Sequence, residues 1–419
     1  MKTILSNSNM KNNMKLTKFL FLSLLATLFV SCGDDDEGTT TEPVSDQTKS
    51  GELTADETWT SDQIYHLDGK VIVADGVTLT IEAGTIIKGM EGQETLASAL
   101  VVDQGGTLIA EGTASNPIIF TSELDNIEVG ETEGTNLTTA DKGLWGGVII
   151  LGYAPISVSG DVETAQIEGI AATESYGQYG GNNPADNSGS LSYISIRHGG
   201  VTIGDDNEIN GLSLGGVGSG TSIDHIEIVG NQDDGIEFFG GTVSVSYAII
   251  YDQGDDGFDT DQAWAGTLDN GMVILGSGSG TALELDGPEG SATTEDGHTI
   301  KNVTLIGAGD SKMADCRDGL IANLENILAY NFSASGTVKI NGADAATELS
   351  ADRITFSNWE IVLPSGITSV DELISGDYTA GDETKFTDNA TAIADAASAT
   401  VGATPSGYSW TYAASKSAF

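Results

Sequence analysis

Six short segments of the chain share one alternating register: an apolar residue, a polar one, then Tyr, His or Asn, then a small or apolar residue and a further apolar position. They begin at Leu191, Ile223, Val245, Leu268, Ile300 and Leu324, with intervals of 32, 22, 23, 32 and 24 residues. Alternating segments every twenty-odd residues predict one strand per coil of a solenoid, and the two longer intervals predict coils that carry a loop. A second column follows the first, at 211–214, 235–238, 257–260 and, more loosely, 281–285. The N-terminal part carries its own pair, 71–85 against 101–113, in which Gly76 matches Gly105 and Gly84 matches Gly112. Glycine at such corners permits the positive φ or close packing that successive bends demand. A sandwich of hairpins is the weaker alternative, because two-residue Asn-Gly or Asp-Gly turns between clean alternating runs are not the rule here.

The rhythm fails after Pro364. Residues 370–373 and 390–399 read as helical or irregular, and together with Tyr408, Trp410 and Tyr412 they are expected to cap the last coil, whose bare strand edges would otherwise pair with other chains. At the other end, residues 19–30 form an apolar run broken only by Ser23 and Thr27 and preceded by Lys11, Lys15 and Lys18, the layout of a secretory signal. Such a run is too short for a permanent span. It ends Leu28-Phe29-Val30-Ser31-Cys32, which resembles a bacterial lipobox and implies a lipid on Cys32. The following Gly33-Asp34-Asp35-Asp36-Glu37 resembles the acidic export tag of Bacteroidota-type surface lipoproteins. The expected division is therefore a signal peptide at 1–31, an acidic flexible tether at 32–57, a solenoid at 58–365 and a capping segment at 366–419. No second apolar stretch approaches membrane length. The expected place is the outer membrane, facing the exterior, with the lipid as the attachment.

The repeat resembles the right-handed, single-stranded parallel β-helix of the pectin-lyase-like superfamily over residues 58–365. A closer likeness rests on Trp145-Gly146-Gly147, Tyr179-Gly180-Gly181, Asp186-Asn187-Ser188-Gly189, Arg197-His198-Gly199-Gly200 and the stretch from Glu237 through Phe238, Phe239, Gly240 and Gly241 to Val243. These resemble a family of uncharacterised bacterial β-helix lipoproteins of the Bacteroidota type, some of which carry transporter-like labels. Transport is not expected of this chain, since a β-helix interior is filled with side chains.

Composition narrows the chemistry. With 16 Lys and Arg against 62 Asp and Glu, a formal charge of −46 excludes nucleic acid as a partner. Fifty-five glycines with only seven prolines suit a turn-rich all-β chain. Two cysteines, Cys32 and Cys316, cannot form a disulfide framework, and Cys316, between Asp315 and Arg317, reads as a small filler whose acidic neighbours blunt its reactivity.

Between His198 and Ile300 there is no Lys or Arg and there are 19 acids, so this stretch needs a counterion. Asp233-Asp234 and Asp255-Asp256 are 22 residues apart, one coil, which stacks the two acidic pairs about 4.8 Å apart. At an effective dielectric of about 20 their repulsion is several kcal/mol unless a cation or a proton relieves it. Calcium suits Asp233, Asp234, Asp255 and Asp256 together with Asp252, turn carbonyls and water. The competing reading is acidic turns that point apart into solvent. The same register places Glu237, Asp259 and loosely Glu284 in one outward column beside Asp261, an alternative catalytic set of Asp255, Asp256, Asp259 and Glu237. Gly254-Asp255-Asp256 resembles an element of β-helix polygalacturonases, whose paired carboxylates imply acid and base roles. The basic residues that would hold a uronate are missing from this face, which leaves hydrolysis of an uncharged polysaccharide as the enzymatic alternative.

Tyr176, Tyr179, Asn183 and Asp186, in the long insertion before Leu191, offer aromatic and amide groups for a sugar, against the plainer reading of a loop ordered on the solenoid wall. His225 falls in the Tyr/His/Asn column and reads as a stacked wall residue. The balance favours a calcium-stabilised, adhesin-like or glycan-binding module over an enzyme, with an accessory role in an outer-membrane complex as a further alternative.

Overall fold

The computed structural model describes residues 46–92, 96–204, 207–292 and 297–419. Apolar alternation closes the chain into parallel coils. Leu191, Ile223, Val245, Leu268, Ile300 and Leu324 pair in one unbroken register, as the spacing predicts. The second column runs from Val148–Leu151 through Leu212–Gly215, Ile236–Phe239, Phe258–Asp261, Thr281–Leu285 and Lys312–Cys316 to Val338–Ile340 and Ile374–Gly376. Twenty-five strands join one sheet whose pairings are parallel throughout, and inward Leu, Ile, Val, Phe and Trp side chains fill a continuous core. This is a right-handed parallel β-helix with a small, partly helical C-terminal end.

The Tyr/His/Asn column has a backbone cause. Tyr193, His225, Tyr247, Asn270, Asn302, Asn326 and Asn358 all adopt positive φ, between 51° and 58°. Each bends its strand by one left-handed residue, a conformation that Asn and His tolerate better than branched side chains. In the coil before, the same edge is two strands, Thr107–Glu111 and Ile118–Ser122, which pair with the two halves of Gly189–Arg197 on either side of Tyr193. Gly112 lies against that bend, where a Cβ would sit 2.6 Å from the Tyr193 carbonyl oxygen.

The boundaries differ from the sequence expectation at both ends. The first coil begins with Gln47–Leu53, paired in parallel with Ile64–Val73, so residues 47–57, expected in the tether, belong to the solenoid. Their signal was faint because an edge strand buries one face only, here Leu53, with Trp59 in the strand that follows. At the other end Ile374–Gly376 and Ala390–Ile393 still pair in parallel with the coil before, so the solenoid runs past 365 into the expected capping segment, and Phe386, on the short helix Thr384–Thr387 between them, packs 5.2 Å from Phe356 and 5.4 Å from Trp359.

Residues 400–419 do not cover that end. They run back as a strap along the first column, so the expectation that Tyr408 and Tyr412 cap the last coil is corrected. Outward-facing Ile249, Met272, Ile274 and Ile306 give the strap an apolar track for Tyr408 and Ala413. Its polar ties are the backbone N–H groups of Gly402 to the Asn326 carbonyl at 3.1 Å and of Thr404 to Asn270 Oδ1 at 3.0 Å. At its far end the fully buried Glu227 carboxylate accepts the N–H groups of Tyr412 at 3.1 Å and Ala413 at 2.9 Å. The Ser195 hydroxyl donates to the same carboxylate at 2.6 Å, and Arg197 stands 3.9 Å away.

Candidate functional site

In the second column, register stacks the side chains that point away from the core. Ser213, Glu237, Asp259, Glu284, Asp315 and Lys339 follow one another coil by coil. A neighbouring row follows from the same pairing: Phe239 opposes Asp261, while Asp286 and Arg317 come one residue after the paired Leu285 and Cys316. Although these positions face outward, Glu237, Asp259 and Asp315 are all buried.

The turn acids join the head of this ladder. One oxygen from each of Asp233, Asp234 and Asp255 lies within 4.8 Å of the others, and the same holds for Asp234, Glu237 and Asp259, and for Asp259, Glu284 and Asp286. Asp234 belongs to the first two groups and Asp259 to the last two, so the row is continuous. Asp256 sits beside it. Its backbone N–H donates to Asp234 Oδ1 at 2.8 Å, its carboxylate accepts the Thr281 N–H, and its side chain is hydrogen-bonded to Glu284. Among the described residues, the buried Asp259 Oδ1 and Asp315 Oδ1 have no hydrogen-bond partner.

Burial and neighbouring acids raise these carboxyls. Burial, then the neighbouring Asp233, holds Asp234 well above the usual range, and burial with Asp261 does the same to Glu237 and Asp259. Burial, then Glu208 and Asp255, pushes Asp233 up to about 8. Burial pushes Asp256 to about 6, and burial with the bond to Asp256 pushes Glu284 to about 9. Asp261, raised by burial and by Glu289, hydrogen-bonds to Asp286 and Glu289, contacts that two carboxylates make only by sharing a proton. The row holds its charge with a proton or with a metal.

Calcium ligation fits this donor set: oxygens from successive coils converge, several of the residues are buried, and Asp259 among them has an unsatisfied Oδ1. Inverting hydrolysis fits it less well, since a pair of acids about 6.5–9.5 Å apart is needed to admit water, and Glu237 and Asp259 present oxygens within 4.8 Å. An open groove of about 450 Å³ lies beside the row, lined by Asp255, Asp256, Thr281, Glu284, Asp315 and Arg317 among others.

Several expected residues lie elsewhere. Asp252, grouped with the metal ligands from its place in the chain, turns instead to the connection between Ile118–Ser122 and Val148–Leu151: Thr139 Oγ1 donates to it at 2.5 Å and Lys142 Nζ stands 3.1 Å away. Its left-handed φ of 57° swings it out of the acidic row. Tyr179 is not a free sugar platform. It is buried against Phe239 at 6.0 Å, with Gln262 hydrogen-bonded to its hydroxyl. Asp186 is also buried, as an acceptor for turn N–H groups and for Ser188. Tyr176 packs partly buried on the same wall cluster, and Asn183 is exposed, its N–H donated to the Tyr153 carbonyl at 2.8 Å. His225 is a wall residue, stacked between Tyr193 at 4.2 Å and Tyr247 at 4.6 Å. Cys316 is buried, and burial with Asp315 raises its thiol. Cys32, Asp34, Asp35, Asp36 and Glu37 lie outside the described residues.

Arg317 was missed. Its guanidinium pairs with Glu284 and donates to both oxygens of Asp286 at 2.8 and 2.9 Å, so basic groups do reach this face. Lys312 and Lys339 approach Asp315 at 3.4 and 3.6 Å. Extending the second column by one strand, to Lys312–Cys316, reveals Lys312 and the adjoining Arg317, and by a second, to Val338–Ile340, reveals Lys339.

The coil register together with a family model decides kinship: the model of the pectate-lyase like beta helix domain matches residues 51–413. The chain belongs to this pectate-lyase-like β-helix family. No curated protein and no solved structure was found to match it. The pectate-lyase-like fold fits a carbohydrate-related module. No helix among the described residues of this pectate-lyase-like chain is long and apolar enough to cross a membrane.

Proposed function

We propose that the chain is a surface lipoprotein of the Bacteroidota type, anchored in the outer membrane through a lipid on Cys32, whose β-helix binds glycan and is stiffened by calcium held in the acidic ladder. The observation that carries the calcium reading is the Asp259 carboxylate, buried between Glu237 and Glu284 in the row with one oxygen lacking any donor. A cation at Asp234, Glu237 and Asp259, extended to Asp233 and Asp255 through the shared Asp234, supplies what that oxygen lacks. The open groove beside the row, with its carboxylates, hydroxyls and one guanidinium, supports a polar, carbohydrate-like ligand.

Calorimetric titration of calcium into the full chain tests this reading. Saturable heat, with protons released as the raised carboxyls ionise, is expected in the native chain and is expected to vanish in the double variant Asp234→Asn, Asp259→Asn. An absence of heat in a folded native chain would remove calcium from the account and bring hydrolysis of neutral polysaccharides forward. The anchor is checked in the same preparation, since Cys32→Ala should move the chain from the membrane to the soluble fraction.

A further inference from the structure

The acidic row is not uniform along its length. Toward the N-terminal coils, Asp233, Asp234, Asp255, Glu237 and Asp259 form no ion pair with Lys or Arg among the described residues, and Arg317 reaches Asp259 only through its field. Toward the C-terminal coils the next acids, Glu284, Asp286 and Asp315, meet Arg317, Lys312 and Lys339. The change falls inside the third group of converging oxygens, that of Asp259, Glu284 and Asp286. Two of its three members already hold a cation that the chain itself provides: Arg317 pairs with Glu284 through Nη2 and shares its Nε–H between both oxygens of Asp286. The third member, Asp259, keeps a buried oxygen without a hydrogen-bond partner and also belongs to the group of Asp234 and Glu237.

We infer that Arg317 is a resident cation filling the last position of the ladder, so that exogenous calcium is confined to the positions built from Asp233, Asp234, Asp255, Glu237 and Asp259. The inference rests on the proposed cation ladder and adds what sets its stoichiometry. A guanidinium is a planar fork of donors that matches two carboxylates side by side, while calcium gathers six to eight oxygens around a point. Arg317 already holds two of the three acids of that group, so it and a calcium there exclude one another. Arg317 occupies the coil position where Asp286 stands one coil earlier and where Asp261 stands one coil before that, so a single change of residue type in the repeat marks where metal gives way to side chain.

Equilibrium dialysis of the full chain against calcium tests it, with native protein, Arg317→Gln and Arg317→Lys compared and folding followed by far-ultraviolet circular dichroism. The expected result is one more calcium per chain in Arg317→Gln than in the native protein. Arg317→Lys, which keeps a cation in place, should show native stoichiometry. If Arg317→Gln folds only when refolded with calcium, dialysis of that sample should still show the additional ion, and adding Glu284→Gln should remove it. Native stoichiometry in folded Arg317→Gln would overturn the inference and leave the ladder reading intact. No calcium in the native chain with one ion in Arg317→Gln would overturn that reading and the confinement of calcium with it, and would support only the place of Arg317 as the resident cation of the last position. No calcium in either would overturn both.

Discussion

Two faces of the same solenoid stack like on like, with opposite results. On the first column, Tyr193, His225 and Tyr247 lie ring on ring, and Asn302, Asn326 and Asn358 pass amide hydrogen bonds along the coils at 3.0 and 3.1 Å. On the second, Glu237, Asp259 and Glu284 repeat at the same coil spacing. Rings and amides satisfy one another at that repeat, since an amide both donates and accepts. Carboxylates only accept, so their stack is favourable only with something positive or protonated between them. The neutral face is covered by a strap of the chain's own making, and the acidic face borders an open groove. One geometry thus yields a closed structural wall or an ion-demanding row, according to which side chain the register repeats.

The neutral face breaks first at Glu227. Glu227→Ala removes the acceptor of two strap N–H groups and leaves the buried Arg197 without its partner carboxylate, a change that costs about 3–5 kcal/mol. A fall in the urea midpoint should accompany new proteolytic cleavage within residues 400–419, and a strap that stays protected would refute the latch. The acidic face breaks next, through pH. Carboxyls whose folded pKa lies above the unfolded value contribute fully below about pH 4 and lose that contribution as pH rises through the folded values, here about 6 for Asp256, 8 for Asp233 and 9 for Glu284. In chelator, stability should therefore decline from pH 5 to pH 9 by about 3 kcal/mol, which two groups moved by one unit each already supply. Calcium should flatten the decline, and urea midpoints at pH 5, 7 and 9 measure it. The smallest change converts one face toward the other: Asn302→Asp puts a carboxylate where the Asn302 amide now meets Asp269 at 2.7 Å. A loss of about 1–2 kcal/mol at pH 8 that shrinks at pH 4 is expected, and a loss equal at both would mean that charge is not what separates the faces.

Much of this was legible in the sequence. The six first-column segments pair residue for residue as their alternation predicts, because a solenoid core fixes its own register: a slip by one residue would turn Leu191 or Ile223 to the outside. Glu237, Asp259 and Glu284 were legible for the same reason. Asp252 was misplaced because a left-handed bend, not periodicity, aims its side chain at Lys142, 110 residues away in the chain. The strap was invisible because it has no repeat, and its track of Ile249 and Met272 reads as ordinary core alternation. Tyr179 and Asp186 misled because residues suited to sugar are equally suited to fastening a loop.

The strap also bears on how the fold comes apart. In a simple solenoid each coil leans only on its neighbours, so stability is a chain of local terms and the ends fray independently of the middle. Here Tyr412 is tied to Glu227 across 185 residues of sequence, and Thr404 to Asn270 across 134. Those ties fold the one-dimensional array back on itself. Coils from Arg197 to Tyr330 share a common fate, and the strap completes the contacts that make them a single cooperative unit.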